Sequence, residues 1–99
     1  MAGQGPVDPD TNQMSLGDIA HETRLVLNNI KRILEGCGSS MADVLKCSVF
    51  LKHGEDFKGM NAVYAEFFGE NKPARTTVVV SFVEPGMLVE IDAVAYRPR

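Results

Sequence analysis

Two charged side chains stand where β-strands have no need of charge. Arg75 lies in the run Pro73-Ala74-Arg75-Thr76-Thr77-Val78-Val79-Val80, and Glu90 sits between Val89 and Ile91 in a second apolar run. A charge inside such a run must be paired, solvated or in use, because an isolated buried ion is costly. A guanidinium fork matches a carboxylate in bidentate geometry, which lysine does less well. A carboxylate in a partly buried cleft can take a proton from water and return it to a leaving group. The plain alternatives are a structural salt bridge for Arg75 and a solvated sheet position for Glu90.

The other chemistry-bearing residues fall into no pattern. His21 and His53 have no ligand spacing with the cysteines or carboxylates, which argues against a metal site. Asp8-Pro9-Asp10 lacks the glycine and distant glutamate of a calcium loop and reads as a turn. Cys47 falls inside a strand pattern as a small core residue and Cys37 follows a helix as a loop thiol, so free thiols are expected. No phosphate-cradling glycine loop and no Ser-His-Asp arrangement can be placed.

Ninety-nine residues, 44% hydrophobic and 23% charged, make one ordinary globular domain spanning 1–99. A net charge of −3 weighs against nucleic acid as the main partner, since phosphate binding calls for a basic surface. No stretch approaches the roughly 18 apolar residues of a membrane span. No basic-then-apolar leader opens the sequence, so a cytoplasmic location is expected.

The elements that must position Arg75 and Glu90 follow from periodicity. Residues 1–14 read as an extended lead-in and a turn. Ser15, with Asp18 three residues on, forms a capping-box-like start to a helix. Ile19, Val26, Leu27, Ile30, Ile33 and Leu34 give that helix an apolar stripe, and Glu22, Arg24, Asn28, Lys31, Arg32 and Glu35 fill its polar surface. Gly36 or Gly38 ends it. Ser39-Ser40 caps a short turn over Met41 to Val44. Leu45 to Lys52 alternates as a half-buried strand. A second helix over Asp56 to Phe68 buries Phe57, Met60, Val63 or Tyr64, Phe67 and Phe68, with Asn61 beside that stripe. Gly69 to Pro73 is its exit loop. Two strands follow, separated by Glu84-Pro85-Gly86, and Arg97-Pro98-Arg99 is a tail. Strand alternation places Arg75, Thr77 and Val79 with Leu88, Glu90 and Asp92 on the open sheet face. Thr76, Val78, Val80 and Phe82, with Val89, Ile91, Ala93 and Ala95, would then pack under the helices. A three-stranded sheet with an open face reads as incomplete alone, so association is expected.

A collinear set of short motifs resembles the RidA (YjgF-type) family of enamine/imine deaminases. The pieces are Gly3-Gln4 with Pro6-Val7-Asp8-Pro9, Val26-Leu27-Asn28-Asn29-Ile30 with Ile33-Leu34-Glu35, and Asp43 to Leu51. Asp56-Phe57, Met60 to Tyr64, Phe67-Phe68, Pro73-Ala74-Arg75 and Val89 to Ala95 complete it. Each is weak alone; together they span nearly the whole chain in the family's order.

The resemblance implies an α+β, chorismate-mutase-like fold, with two helices packed on one face of a mixed β-sheet. Family members usually begin with two further strands, which this sequence lacks ahead of Gly3, so it reads as an N-terminally short member. A homotrimer with clefts between subunits is implied, as is hydrolysis of 2-aminoacrylate-type enamine/imines to 2-keto acids and ammonia. No metal or organic cofactor is implied. Carried over by position, Arg75 would hold the substrate carboxylate and Glu90 would orient or activate water. The backbone of Gly3 and Thr77 would contact the ligand, and Asn61 would shape the site. The alternative from another class is a non-catalytic relative that binds small carboxylates or acts as an interaction module. RNA cleavage, also attached to this family, fits the acidic balance poorly.

Overall fold

A computed structural model describes residues 3–70 and 72–97. Met1, Ala2, Asn71, Pro98 and Arg99, which the sequence reading assigned to the lead-in, the exit loop and the tail, lie outside the described residues. The lead-in forms a small hairpin, β1 (Val7–Asp8) paired antiparallel with β2 (Gln13–Met14). Asp8 Oδ1 accepts the Asp10 N–H at 2.9 Å, so the two carboxylates shape a turn.

Helix α1 spans Ile19–Gly36. Its N-cap is Asp18, whose carboxylate accepts the His21 N–H at 2.8 Å. Ser15, expected to open the helix, lies outside it and contacts His21 Nε2 at 3.0 Å. The C-terminus closes as a Schellman turn: Ser39 N–H reaches Leu34 O and Gly38 N–H reaches Glu35 O, with Gly38 at φ +80°. Thr23, Val26, Leu27, Ile30 and Leu34 form the buried stripe, while Ile33 stays 40% exposed.

Glu22 corrects the sequence reading. Its placement on the polar surface of α1 is wrong, because the residue is completely buried. Its carboxylate accepts Leu88 N–H at 2.8 Å and Gly17 N–H at 3.2 Å, tying the start of α1 to the approach to the last strand. Backbone donors that a loop leaves unpaired can hold a carboxylate inside the fold, and helical periodicity carries no trace of them.

A 3₁₀ turn at Met41–Asp43 leads into β3 (Val44–Leu51), and another at Gly54–Asp56 leads into α2 (Phe57–Phe68). Strands β4 (Ala74–Val79) and β5 (Val89–Ala95) complete the main sheet. Its order is β4-β3-β5, with β4 parallel and β5 antiparallel to β3. This is the expected mixed sheet with both helices on one face, and the core lies between the layers. Cys47, Val49, Leu51, Val89, Ile91 and Ala93 contribute from the sheet and Val26, Leu27, Ile30, Met60, Val63 and Tyr64 from the helices. Each fully buried Leu, Ile, Val or Met contributes about 1.5–3 kcal/mol by leaving water. Gln4 adds an isolated bridge to the outer edge of β5, exchanging backbone hydrogen bonds with Ile91 at 2.7 and 3.0 Å.

The register reverses the expected facing of β4. Cys47 pairs with Arg75, Val49 with Thr77 and Leu51 with Val79, so these three β4 residues share the helix side. Thr76 and Val78 take the open side, opposite Ser48 and Phe50. Residues of both β4 faces are exposed or half-buried, so alternation along this edge strand did not reveal which face turns inward. Pairing with β3 decides it, and a one-residue slip exchanges every side chain between faces. The β5 reading holds: Val89, Ile91 and Ala93 point to the core and Glu90 and Asp92 to the open side.

Candidate active site

The proposed site residues fall into two groups on opposite faces of the sheet. The first gathers Arg75, Asn61 and Thr77 on the helix side. Arg75 is half-buried at the parallel edge strand. Its Nη1 donates to Asn61 Oδ1 at 2.7 Å. Its guanidinium carbon lies 5.3 Å from the Phe57 ring centroid and 4.7 Å from that of Tyr64. Both distances fall within the cation–π range of about 6 Å. Phe57, Asn61 and Tyr64 stand at i, i+4 and i+7 of α2, one stripe aimed at the arginine.

Phe57 is therefore not the core residue that its apolar spacing predicts. It is 39% exposed and covers the guanidinium. Tyr64 is buried, and its ring packs on Phe68 at 4.6 Å between centroids. Its hydroxyl makes no hydrogen bond of good geometry and has the Cys47 thiol as a polar neighbour. Burial, then the Cys47 contact, push the Tyr64 phenol well above its ordinary range. Burial is also the main force raising the Cys47 thiol; the Tyr64 hydroxyl opposes it, the Asp92 carboxylate adds to it, and the Arg75 charge opposes it. Cys47 is thus an inert core thiol, while Cys37 is exposed.

The second group gathers Gly3 and Glu90 on the open side. Glu90 pairs with Phe50 across β3 and β5 and is half-buried. A Cβ added to Gly3 would lie 2.7 Å from Glu90 Oε2 and 3.0 Å from its Cδ, so any side chain at position 3 would displace that carboxylate. Gly3 and Glu90 line a pocket of about 520 Å³, walled by Met14, Phe50, Phe82 and Met87. Sequence reasoning missed these walls because they come from β2, β3 and the connection between β4 and β5.

Arg75 and Glu90 are thus not brought together within one chain. The first group offers an oriented cation, the second a carboxylate beside a pocket of mixed lining that also holds Ser81 and Glu84. Among the described residues no cluster of three or more His, Cys, Asp or Glu side chains could hold a metal, and no helix is long and apolar enough to cross a membrane.

Comparison with known proteins places this architecture. The sequence model of the endoribonuclease L-PSP family matches residues 1–97. A RutC family protein of Pyrococcus horikoshii is 54% identical over 97 residues, covering 98% of this chain and 77% of that protein. The 3-aminoacrylate deaminase RutC of Acinetobacter baylyi is 42% identical over 96 residues, 97% of this chain and 76% of its own. Among solved structures, the TM0215 protein of Thermotoga maritima superposes with a TM-score of 0.93 at 38% identity, covering 100% of this chain and 78% of that one. The YjgF gene product of E. coli superposes at 0.89 with 38% identity, covering 99% and 79%. The chain belongs to the endoribonuclease L-PSP family, the RidA/YjgF/RutC proteins, and has their chorismate-mutase-like fold.

Proposed function

We propose that this protein hydrolyses reactive 2-aminoacrylate-type enamine/imines to 2-keto acids and ammonia, in the cytosol, at sites shared between copies of a homotrimer. One observation carries the reading: Arg75 is oriented by Asn61 and two rings, yet no carboxylate pairs with it among the described residues. A fixed, half-buried guanidinium without an anion suits a small carboxylate ligand. The relative named 3-aminoacrylate deaminase, 42% identical, supports the same class of chemistry.

In this mechanism Arg75 binds the substrate carboxylate and holds the imine carbon in place. The enamine reaches the imine by proton transfer to its terminal carbon. Water adds to the imine carbon, and Glu90 takes the proton that the water loses. Glu90 passes that proton to the nitrogen to complete the carbinolamine, which then collapses: its hydroxyl proton moves to the nitrogen by way of Glu90, the C–N bond breaks, and ammonia and the carbonyl are released. The backbone at Gly3 and Thr77 contacts the ligand. Because Arg75 and Glu90 occupy opposite faces, the pair is completed by Arg75 of one copy and Glu90 of another. The open face, with Val78 41% and Val94 54% exposed, supports association.

The test couples an amino-acid dehydratase to this protein and follows keto-acid release. Wild type should accelerate release over the dehydratase alone, and Arg75→Ala should not. Equal rates for the two would sink the enzymatic reading. The split between faces also favours a second reading, a non-catalytic binder of small carboxylates that uses the Arg75 group alone. Calorimetric binding of 2-ketobutyrate without turnover would select it.

A further inference from the structure

We propose that Phe57 and Tyr64 are positioning residues that hold Arg75 in a single orientation and thereby set the affinity of the site for planar carboxylates. This inference deepens the proposed function and rests on it for the identity of the ligand. Three observations carry it. The guanidinium lies 5.3 Å from one ring centroid and 4.7 Å from the other, so aromatic surface from both residues restrains it. Its Nη1 is held by Asn61 Oδ1 at 2.7 Å, which takes up one edge. Among the described residues no acceptor is found for Nη2 or Nε, which leaves the other edge to a ligand.

A long arginine side chain free in solvent samples many rotamers and must lose that freedom when it binds an anion. Here much of that ordering is already present before binding, because α2 presents Phe57, Asn61 and Tyr64 on one stripe. The Tyr64 ring is itself fixed by burial and by Phe68 at 4.6 Å between centroids. Its hydroxyl takes no part, having no hydrogen-bond partner of good geometry. The rings therefore act through their faces, and the free guanidinium edge lies where a two-oxygen, in-plane acceptor fits best. A preorganised fork of this kind favours a carboxylate over a spherical anion.

The test uses Phe57→Leu, chosen because Phe57 is 39% exposed and the change leaves the core intact. The first readout is the Nε–H resonance of Arg75, assigned by its loss in Arg75→Lys. Ring currents should displace it in wild type, Phe57→Leu should return it toward the other arginines, and Phe57→Tyr should restore it. The second readout is 2-ketobutyrate affinity, which Phe57→Leu should weaken about 3- to 30-fold and Phe57→Tyr should recover. In the Arg75→Lys background Phe57→Leu should weaken binding no further.

An Nε–H signal that is undisplaced in wild type, or unmoved by Phe57→Leu, overturns the proposal. So does a loss of affinity that is equal with and without Arg75, because that is a general structural effect. If wild type binds no keto acid, the carboxylate reading of the site fails. The order parameter of the Arg75 Nε–H from nitrogen relaxation still decides the positioning role in that case: high in wild type and lowered in Phe57→Leu supports it, and equal in the two refutes it.

Discussion

Arg75 and Glu90 stand on opposite faces of one three-stranded sheet, Arg75 level with Cys47 beneath α2 and Glu90 level with Phe50 on the open side. If the two act on one substrate, each site takes them from different copies. Arg75→Ala and Glu90→Gln should each be inactive alone. Refolded together in equal amounts, they should regain about one quarter of wild-type activity, because random assembly pairs an intact Arg75 with an intact Glu90 at that frequency. No recovery in proven mixed oligomers would place both residues in a single-chain site.

Gly3→Ala should damage activity more than stability. The new methyl would meet Glu90 Oε2 at 2.7 Å and push that carboxylate aside, while a flexible side chain on a sheet face can move at little energetic expense. A misplacement near 1 Å at a reacting group costs about 100-fold in rate. The expected result is a kcat/KM lowered by about that factor with a thermal midpoint close to wild type. A large drop in midpoint would show that Gly3 serves the fold.

Asn61→Asp should impair carboxylate binding without unfolding the protein. The amide oxygen that now accepts from Arg75 Nη1 at 2.7 Å becomes a charged oxygen, and the ion pair competes with the ligand for the guanidinium. Calorimetry with 2-ketobutyrate should show binding weakened by about tenfold or more. Unchanged affinity would mean that Asn61 does not control the arginine.

Glu22 offers a stability test away from the site. Glu22→Ala takes the acceptor from the Leu88 and Gly17 N–H groups and empties a fully buried side-chain position, and should cost about 2–4 kcal/mol by urea denaturation. Glu22→Gln keeps an acceptor oxygen for one of them and should cost less than the alanine change. Equal losses for the two variants would mean that the carboxylate itself, and not the side-chain volume that glutamine keeps, holds the position.

Alkaline pH should destabilise the fold through Cys47 and Tyr64. Both are acids whose folded-state pKa is raised, first by burial, above the ordinary 9.0 and 10.0. The unfolded chain releases these protons more readily, so the stability they contribute is full below pH 9.0 and falls as pH rises above it. Denaturation midpoints should decline from that point, and Tyr64→Phe should flatten the decline. Because the Tyr64 hydroxyl has no well-formed hydrogen bond, that variant should lose less than about 1 kcal/mol at neutral pH.

The sequence by itself determined the order of the two helices and three main strands, most of the core stripe of α1, the inward face of β5 and the two charges of the candidate site. These depend on local periodicity and on residue types whose solvation is costly to violate, so they are legible one segment at a time. The tertiary structure decided what depends on how segments meet. Parallel pairing of β4 with β3 turned Arg75 toward α2, although spacing along β4 had placed it beside Glu90. The same packing made Phe57 a partner of the guanidinium and drew Glu22 inward to two backbone donors. Strand register and backbone donors left over by a distant loop are relations between segments, and no periodicity within one segment encodes them.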